Sequence, residues 1–269
     1  MLAKQALHAL QFPVANAWLG AAAPCVCTAS RAFGSQQQES AGSYEDSFRS
    51  KPQSLQFARG GVQYPQQLEG NILGRAFLTA IGAYSRRQQL RNGASVLYRA
   101  ITEAAERPEL HQALGLDGSK FTSSHSLLSL HMWLVIRRLA EEGTPPPKDA
   151  KVFNQVLYAD YFFKDVERRV YAYGVTIHVS KWMKRLEQVF FGGCEAYDAA
   201  MQQPEAQQAA ALAGALLRNV YEDDQTQRPW ALLLARYLIR EAQCLSKTDA
   251  EAIYTGQLRF SSDIKVTKR

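Results

Sequence analysis

At 269 residues, with 46% apolar and 10% aromatic side chains, the chain carries enough hydrophobic material for a substantial core, and its length suits one domain with tails better than two. The formal charge of +6, from 31 basic against 25 acidic residues, permits a nucleic-acid partner without requiring one. Four cysteines are too few and too scattered for a disulfide framework or a zinc ribbon, which fits a reducing compartment, and the lack of an uninterrupted apolar run of roughly 18 residues points to peripheral membrane contact at most.

The first 38 residues contain no acid, while Lys4 and Arg31 supply positive charge amid alanines, Thr28 and Ser30. That composition is transit-peptide-like, with Leu2, Ala6 and Leu10 on one side of a weakly amphipathic helix. Arg31-Ala32-Phe33 resembles the arginine-plus-aromatic signature after which matrix processing proteases cut, so residues 1–34 read as a mitochondrial transit peptide. The rival is a secretory signal built on residues 12–26, which Pro13, Pro24 and the single positive charge near the start disfavour. Residues 35–70 are rich in Gln, Ser and Gly with little periodicity and are expected to form a disordered connector.

From residue 71 onward apolar residues recur at helical spacing and period-2 alternation is nearly missing, so the expected fold is all-α, a single compact multi-helix bundle over 71–260 followed by a polar basic tail, 261–269. The first helices are expected at 72–90 and 94–105, with Asn92-Gly93 as a C-cap and turn between them. The segment 124–142 is apolar around nearly its whole circumference, as a central buried helix would be, and Gly143 with Pro145-Pro146-Pro147 ends it. A long helix over 149–173 stops at Gly174. Ser180 is expected to cap the next, which runs through Trp182, Leu186 and Phe190 toward Ala200. Pro204 and Pro229 mark the openings of an Ala-rich helix, 205–221, and an aromatic one, 230–245.

No phosphate-loop glycine pattern, His-Glu-x-x-His, nucleophile elbow or Cys-x-x-Cys occurs, so no cofactor or metal is expected. His125 and His131, six apart, fall on separated faces of one helix. His131 sits between Leu127 and Val135 on an apolar face, where a buried histidine bonded to a neighbouring helix is the expected role. Asp160, Lys164 and Glu167 form one ladder and Asp165 pairs with Arg168 or Arg169. These read as a solvated ion-pair face, or, more sharply, as an inward Asp165 or Glu167 meeting His131 or a partner. Arg75, Arg86, Arg87, Arg91 and Arg99 form an acid-free run suited to RNA phosphate or anionic headgroups, with Lys181, Lys184 and Arg185 as a second patch. The aromatics around residues 158–173 and 190–197 are expected to be mostly core, and the costly Gly192-Gly193 pair calls for close contact or a bend.

Leu130-His131-Met132-Trp133, then residues 161–169 (YFFKDVERR), Tyr173-Gly174-Val175, and Phe191-Gly192-Gly193 leading to Ala196-Tyr197-Asp198 resemble, in order and approximate spacing, the ubiquinol–cytochrome c chaperone family. The resemblance spans 72–260. It implies a non-enzymatic assembly factor in the mitochondrial matrix, peripherally associated with the inner membrane. Such a factor pairs with a small helical subunit at the mitochondrial ribosome's exit tunnel, and there promotes synthesis of cytochrome b and holds it for assembly into complex III. On that reading His131, Trp133, Tyr161, Asp165, Glu167, Tyr197 and Asp198 organise the motif helices or meet partner and client. Arg86, Arg87, Arg91, Lys181, Lys184 and Arg185 touch the ribosome. Two rivals remain open: a helical enzyme using His131 and a carboxylate as acid and base, and a general RNA- or lipid-surface module.

Overall fold

The computed structural model describes residues 51–56, 71–73, 76, 79, 82, 84–143 and 145–261. The expected transit peptide, most of the connector and the tail beyond Ser261 lie outside them. Among the described residues every regular element is helical, with one isolated antiparallel bridge between Gln56 and Leu258, so the fold is all-α. The helices are α1 (Arg86–Ala105), α2 (Pro108–Ala113), α3 (Phe121–Ala140), α4 (Lys148–Gln155), α5 (Phe163–Ala172), α6 (Val179–Met201), α7 (Glu205–Val220), α8 (Arg228–Ser246) and α9 (Ala250–Tyr254). A π-helical segment, Val156–Phe162, joins α4 to α5.

The central position of α3 follows from its sequence. Leu130 to Val135 are all buried, which is more than one helical turn with no outward face, and α1, α4, α7 and α8 pack around it. Each large apolar side chain buried this way contributes roughly 1.5–3 kcal/mol, so α3 is the axis on which the bundle assembles. The closest pairings beyond it are α7 with α8 and α6 with α7.

Several expectations at helix ends are corrected. Asn92-Gly93 is no turn: α1 runs straight through it, Asn92 accepts a bond from the Gln88 amide at 2.9 Å, and Gly93 is buried where α9 crosses. A Cβ at Gly93 would stand 1.8 Å from the Tyr254 carbonyl oxygen, so the glycine serves helix approach and not chain reversal. Ser85 is the N-cap of α1, accepting from the Gln88 backbone N–H at 3.3 Å. Ser180 does not cap α6; the N-cap is His178 in the left-handed region at φ 58°, and Ser180 lies inside the first turn.

Gly174 does end α5, at φ 96°, with the Gly174 and Val175 amides bonded back to Tyr171 and Val170. Pro204 and Pro229 open α7 and α8 as their fixed φ allows. The π segment has no counterpart in the expected long helix. It brings Tyr158 against both Phe162 and Phe163, at 5.7 and 6.4 Å between ring centres; a regular α-turn carries an i, i+5 pair about 140° apart.

The connector is also narrower than expected. Leu55 is buried, its amide donates to Thr248 Oγ1 at 2.9 Å, and its carbonyl accepts from the Arg259 amide at 3.3 Å. A lone leucine in a polar stretch has no periodicity to announce it, yet it finds a place beneath the end of the chain.

Candidate functional site

His131 sits fully buried on α3. Its Nδ1 lies 2.7 Å from the Leu127 carbonyl, which can only accept, so that nitrogen carries the proton and Nε2 accepts from the Tyr237 hydroxyl of α8 at 2.8 Å. Phe260 stands edge-on to the ring at 4.6 Å. Desolvation pushes the imidazole down to about 4, with the Leu127 bond opposing and Arg107 adding to the shift. The expected buried histidine bonded to a neighbouring helix is what the fold contains. Neither ring nitrogen meets a carboxylate, so the acid–base pair that the enzyme reading needs is missing from this site.

Two residues along α3, Trp133 Nε1 donates to Asp198 Oδ1 on α6 at 3.0 Å, and Arg137 approaches the same oxygen at 3.2 Å while reaching Glu141 at 3.0 Å. Asp198 is completely buried, and Tyr197 packs edge-on against Trp133 at 5.3 Å. Aspartate here joins α3 to α6 by two bonds to its carboxylate, one of them an ion pair. Asp198→Asn keeps an acceptor for the indole and removes the charge facing Arg137. It is expected to lower stability by about 1–2 kcal/mol, read from urea unfolding; an unchanged midpoint would show that the ion pair contributes nothing.

The second constellation links α5 to α1. Asp165 accepts from the Tyr98 hydroxyl at 2.8 Å, from Arg169 at 2.6 Å and from Arg168 at 3.0 Å, and Arg169 reaches on to Glu106. The sharper reading of Asp165, an inward bond, therefore holds with Tyr98 as donor and not His131. Burial and the facing carboxylate raise the Tyr98 phenol, which stays a hydrogen-bond donor. Tyr161 stacks on Tyr98 at 6.0 Å between centres, Glu167 is half-buried, and Lys164 pairs with Asp160 at 3.3 Å.

The basic run divides on folding. Arg86 binds Asp149 at 2.7 Å and Glu251 through both terminal nitrogens at 2.6 and 2.7 Å, and lies over the Tyr254 ring. Arg91 pairs with Asp160 at 3.3 Å. The carboxylates absent from this stretch of sequence arrive from α4, the π segment and α9, so Arg86 and Arg91 form ion pairs within the molecule while staying 39% and 49% exposed. Arg87 is exposed, and among the described residues no carboxylate is within ion-pair distance of it; the same holds for Lys181, Lys184 and Arg185.

Not all the aromatics are core. Tyr158, Phe162, Phe190 and Tyr197 are buried, but Tyr171 and Tyr173 are half or more exposed, and Ile177, Trp182 and Val189 join them at the surface around the α5–α6 turn. Behind Val189 a small cleft of about 30 Å³ is lined by His125, Ser129, Cys194, Tyr197 and Asn219, room for a water-sized guest. His125 Nδ1 has no hydrogen-bond partner among the described residues, and burial, with Arg169 adding, pushes this imidazole to about 4. Among the described residues no three His, Cys, Asp or Glu side chains come together as a metal site requires.

Of the motif residues, His131, Trp133, Tyr197 and Asp198 are interior and act by holding helices together. Tyr161, Asp165 and Glu167 remain partly accessible. The partners Tyr98, Arg137 and Tyr237 were not identified from sequence, because they lie on other elements with no local spacing signal.

The family model described as Ubiquinol-cytochrome C chaperone matches residues 118–260, more than half the chain and the whole span from α3 to the buried Phe260. The crystal structure of the Cbp3 homolog from Brucella abortus is similar at 28% identity and a TM-score of 0.59, covering 71% of this chain and 99% of that one. A comparison with curated proteins gives no match.

Proposed function

Because the chain belongs to the ubiquinol–cytochrome c chaperone family, we propose that it is a non-enzymatic chaperone of newly made cytochrome b in the mitochondrial matrix, feeding complex III assembly. It works beside the mitochondrial ribosome's exit tunnel with a small helical subunit, peripherally associated with the inner membrane. The observation that carries this reading is the fate of the motif's polar groups. Within the family-matched span, the interior polar motif groups are engaged in helix–helix bonds: His131 with Tyr237, and Asp198 with Trp133 and Arg137. A scaffold so arranged offers a rigid surface for macromolecules. Ribosome contact then falls to Arg87, and partner contact to the accessible Tyr161, Asp165 and Glu167.

Deleting the gene and pulse-labelling mitochondrial translation tests the proposal. Cytochrome b and assembled complex III are expected to fall selectively while other mitochondrial products persist. Normal complex III in the deletion strain would defeat it.

A further inference from the structure

We propose that the surface formed by the α5–α6 turn and the first three turns of α6 seats the protein on an anionic lipid surface. The proposal rests on the peripheral membrane association within the proposed function, and adds the residues and the lipid class.

Five of the nine exposed large hydrophobic residues among those described fall in residues 171–189: Tyr171, Tyr173, Ile177, Trp182 and Val189. Scattered single apolar residues need no explanation, but a concentration of this kind marks a contact surface. Ile177 is 72% exposed and Trp182 47%. Among the described residues no atom lies within 4 Å of where a side chain on Gly174 would point, and the Phe121 ring of α3 supports Tyr173 from the inner side at 5.4 Å.

The charge of this surface is predominantly positive, with Glu187 as its one acid. Residues 168–186 contain five Arg or Lys and no acid. Arg168 and Arg169 are engaged by Asp165, which leaves Lys181, Lys184 and Arg185 exposed with no carboxylate at ion-pair distance among the described residues. The nearest acid, Glu187, accepts from the Tyr158 hydroxyl at 3.1 Å. At about 100° per residue, Trp182 and Val189 share a stripe on the outer face of α6, Arg185 lies beside them, and Lys181 and Lys184 follow around the helix. Met183, Phe190 and Cys194 occupy the buried face, about 80–120° from Trp182 in the other sense, and Lys184 lies at the far end of the exposed arc, about 160° from Trp182.

This distribution selects lipid over other occupants. A partner helix or peptide needs an apolar groove, whereas these side chains stand on a turn and on the outer face of one helix. Ribosomal RNA would use the cations and leave Ile177 and Val189 idle. A bilayer interface uses both kinds: indole and phenol rings at headgroup depth, aliphatic tips below, and Lys and Arg reaching the phosphates. No helix among the described residues is long and apolar enough to cross a membrane, so the surface lies on the bilayer.

The test is flotation of the full chain with vesicles of phosphatidylcholine alone or mixed with phosphatidylglycerol. Binding is expected only with the anionic mixture, weakening as salt rises. Lys181→Gln, Lys184→Gln and Arg185→Gln together should lower partitioning about 100-fold, at about fivefold for each charge. Trp182 is the one exposed tryptophan among those described, so vesicles should shift the emission of the parent to the blue, and Trp182→Phe should remove that shift. All four positions are exposed, and an unchanged melting temperature confirms that the variants are folded. Equal binding to neutral vesicles, undiminished binding by the triple variant, or loss of RNA binding alone in that variant would overturn the assignment. The chaperone reading is judged separately by cytochrome b in the deletion strain, so either can fail without the other.

Discussion

Gly93→Ala is expected to destabilise the fold by about 3 kcal/mol or more, although the same exchange inside an unobstructed helix stabilises by up to about 1 kcal/mol. The added methyl would stand 1.8 Å from the Tyr254 carbonyl oxygen, 2.7 Å from its carbon and 3.1 Å from Thr255 Cα. All three are backbone atoms, which cannot rotate away, so α9 must lift from α1. From the other side Gly256, at φ 73°, already sits where a Cβ would meet Val96 at 2.7 Å and the Gly93 carbonyl oxygen at 2.9 Å. Lifting α9 also disturbs Tyr254 against Phe153 and the Arg86–Glu251 pair. Gly192→Ala is the control: nothing lies within 4 Å of its Cβ position, and it is expected to stabilise by about 0.5–1 kcal/mol. Urea unfolding of the two variants reads both effects, and a neutral Gly93→Ala would mean that the crossing is looser than drawn.

Acidification is expected to destabilise the protein through His125 and His131. Both imidazoles are held down to about 4 by burial, against an ordinary value of 6.5. The unfolded chain therefore binds protons that the folded chain refuses. Stability is full above pH 6.5, falls as pH drops toward 4, and is not lost further through these groups below that. At pH 5 the loss is about 2 kcal/mol for each histidine, or about 4 kcal/mol together. Glu241 acts in the opposite sense: burial raises its carboxyl, so its contribution favours the folded state at low pH and fades as pH rises. Glu241→Gln should therefore steepen the pH dependence. Unfolding midpoints from pH 7.5 to 4.5 provide the measurement, and a flat profile would show that the rings are not buried in neutral form.

Much of the helical body was legible because its signals are local. The apolar circumference of α3, the stop at Gly174 and the prolines opening α7 and α8 each depend on a few neighbouring residues and on backbone geometry that those residues impose. The Asn92-Gly93 turn was misread for the same reason. A glycine that permits a left-handed turn and one that permits a helix crossing look alike until α9, some 160 residues later, is laid against it. The π segment was invisible because a 3.6-residue period assumes the regular turn from which it departs.

The candidate site divides along the same line. Composition and spacing determined that the chain is helical, that His131 lies on an apolar face, that its motifs resemble a chaperone family and that residues 168–186 carry positive charge without acids. Tertiary structure alone decided which charges are free. Arg86 and Arg91, the prominent cations in sequence, pair with Asp149, Glu251 and Asp160 from distant elements, while Lys181, Lys184 and Arg185, beside exposed Trp182, have no carboxylate at ion-pair distance among the described residues. Pairing and exposure depend on which helices meet, and that is set by the packing of the whole core around α3, not by any stretch short enough to read by eye.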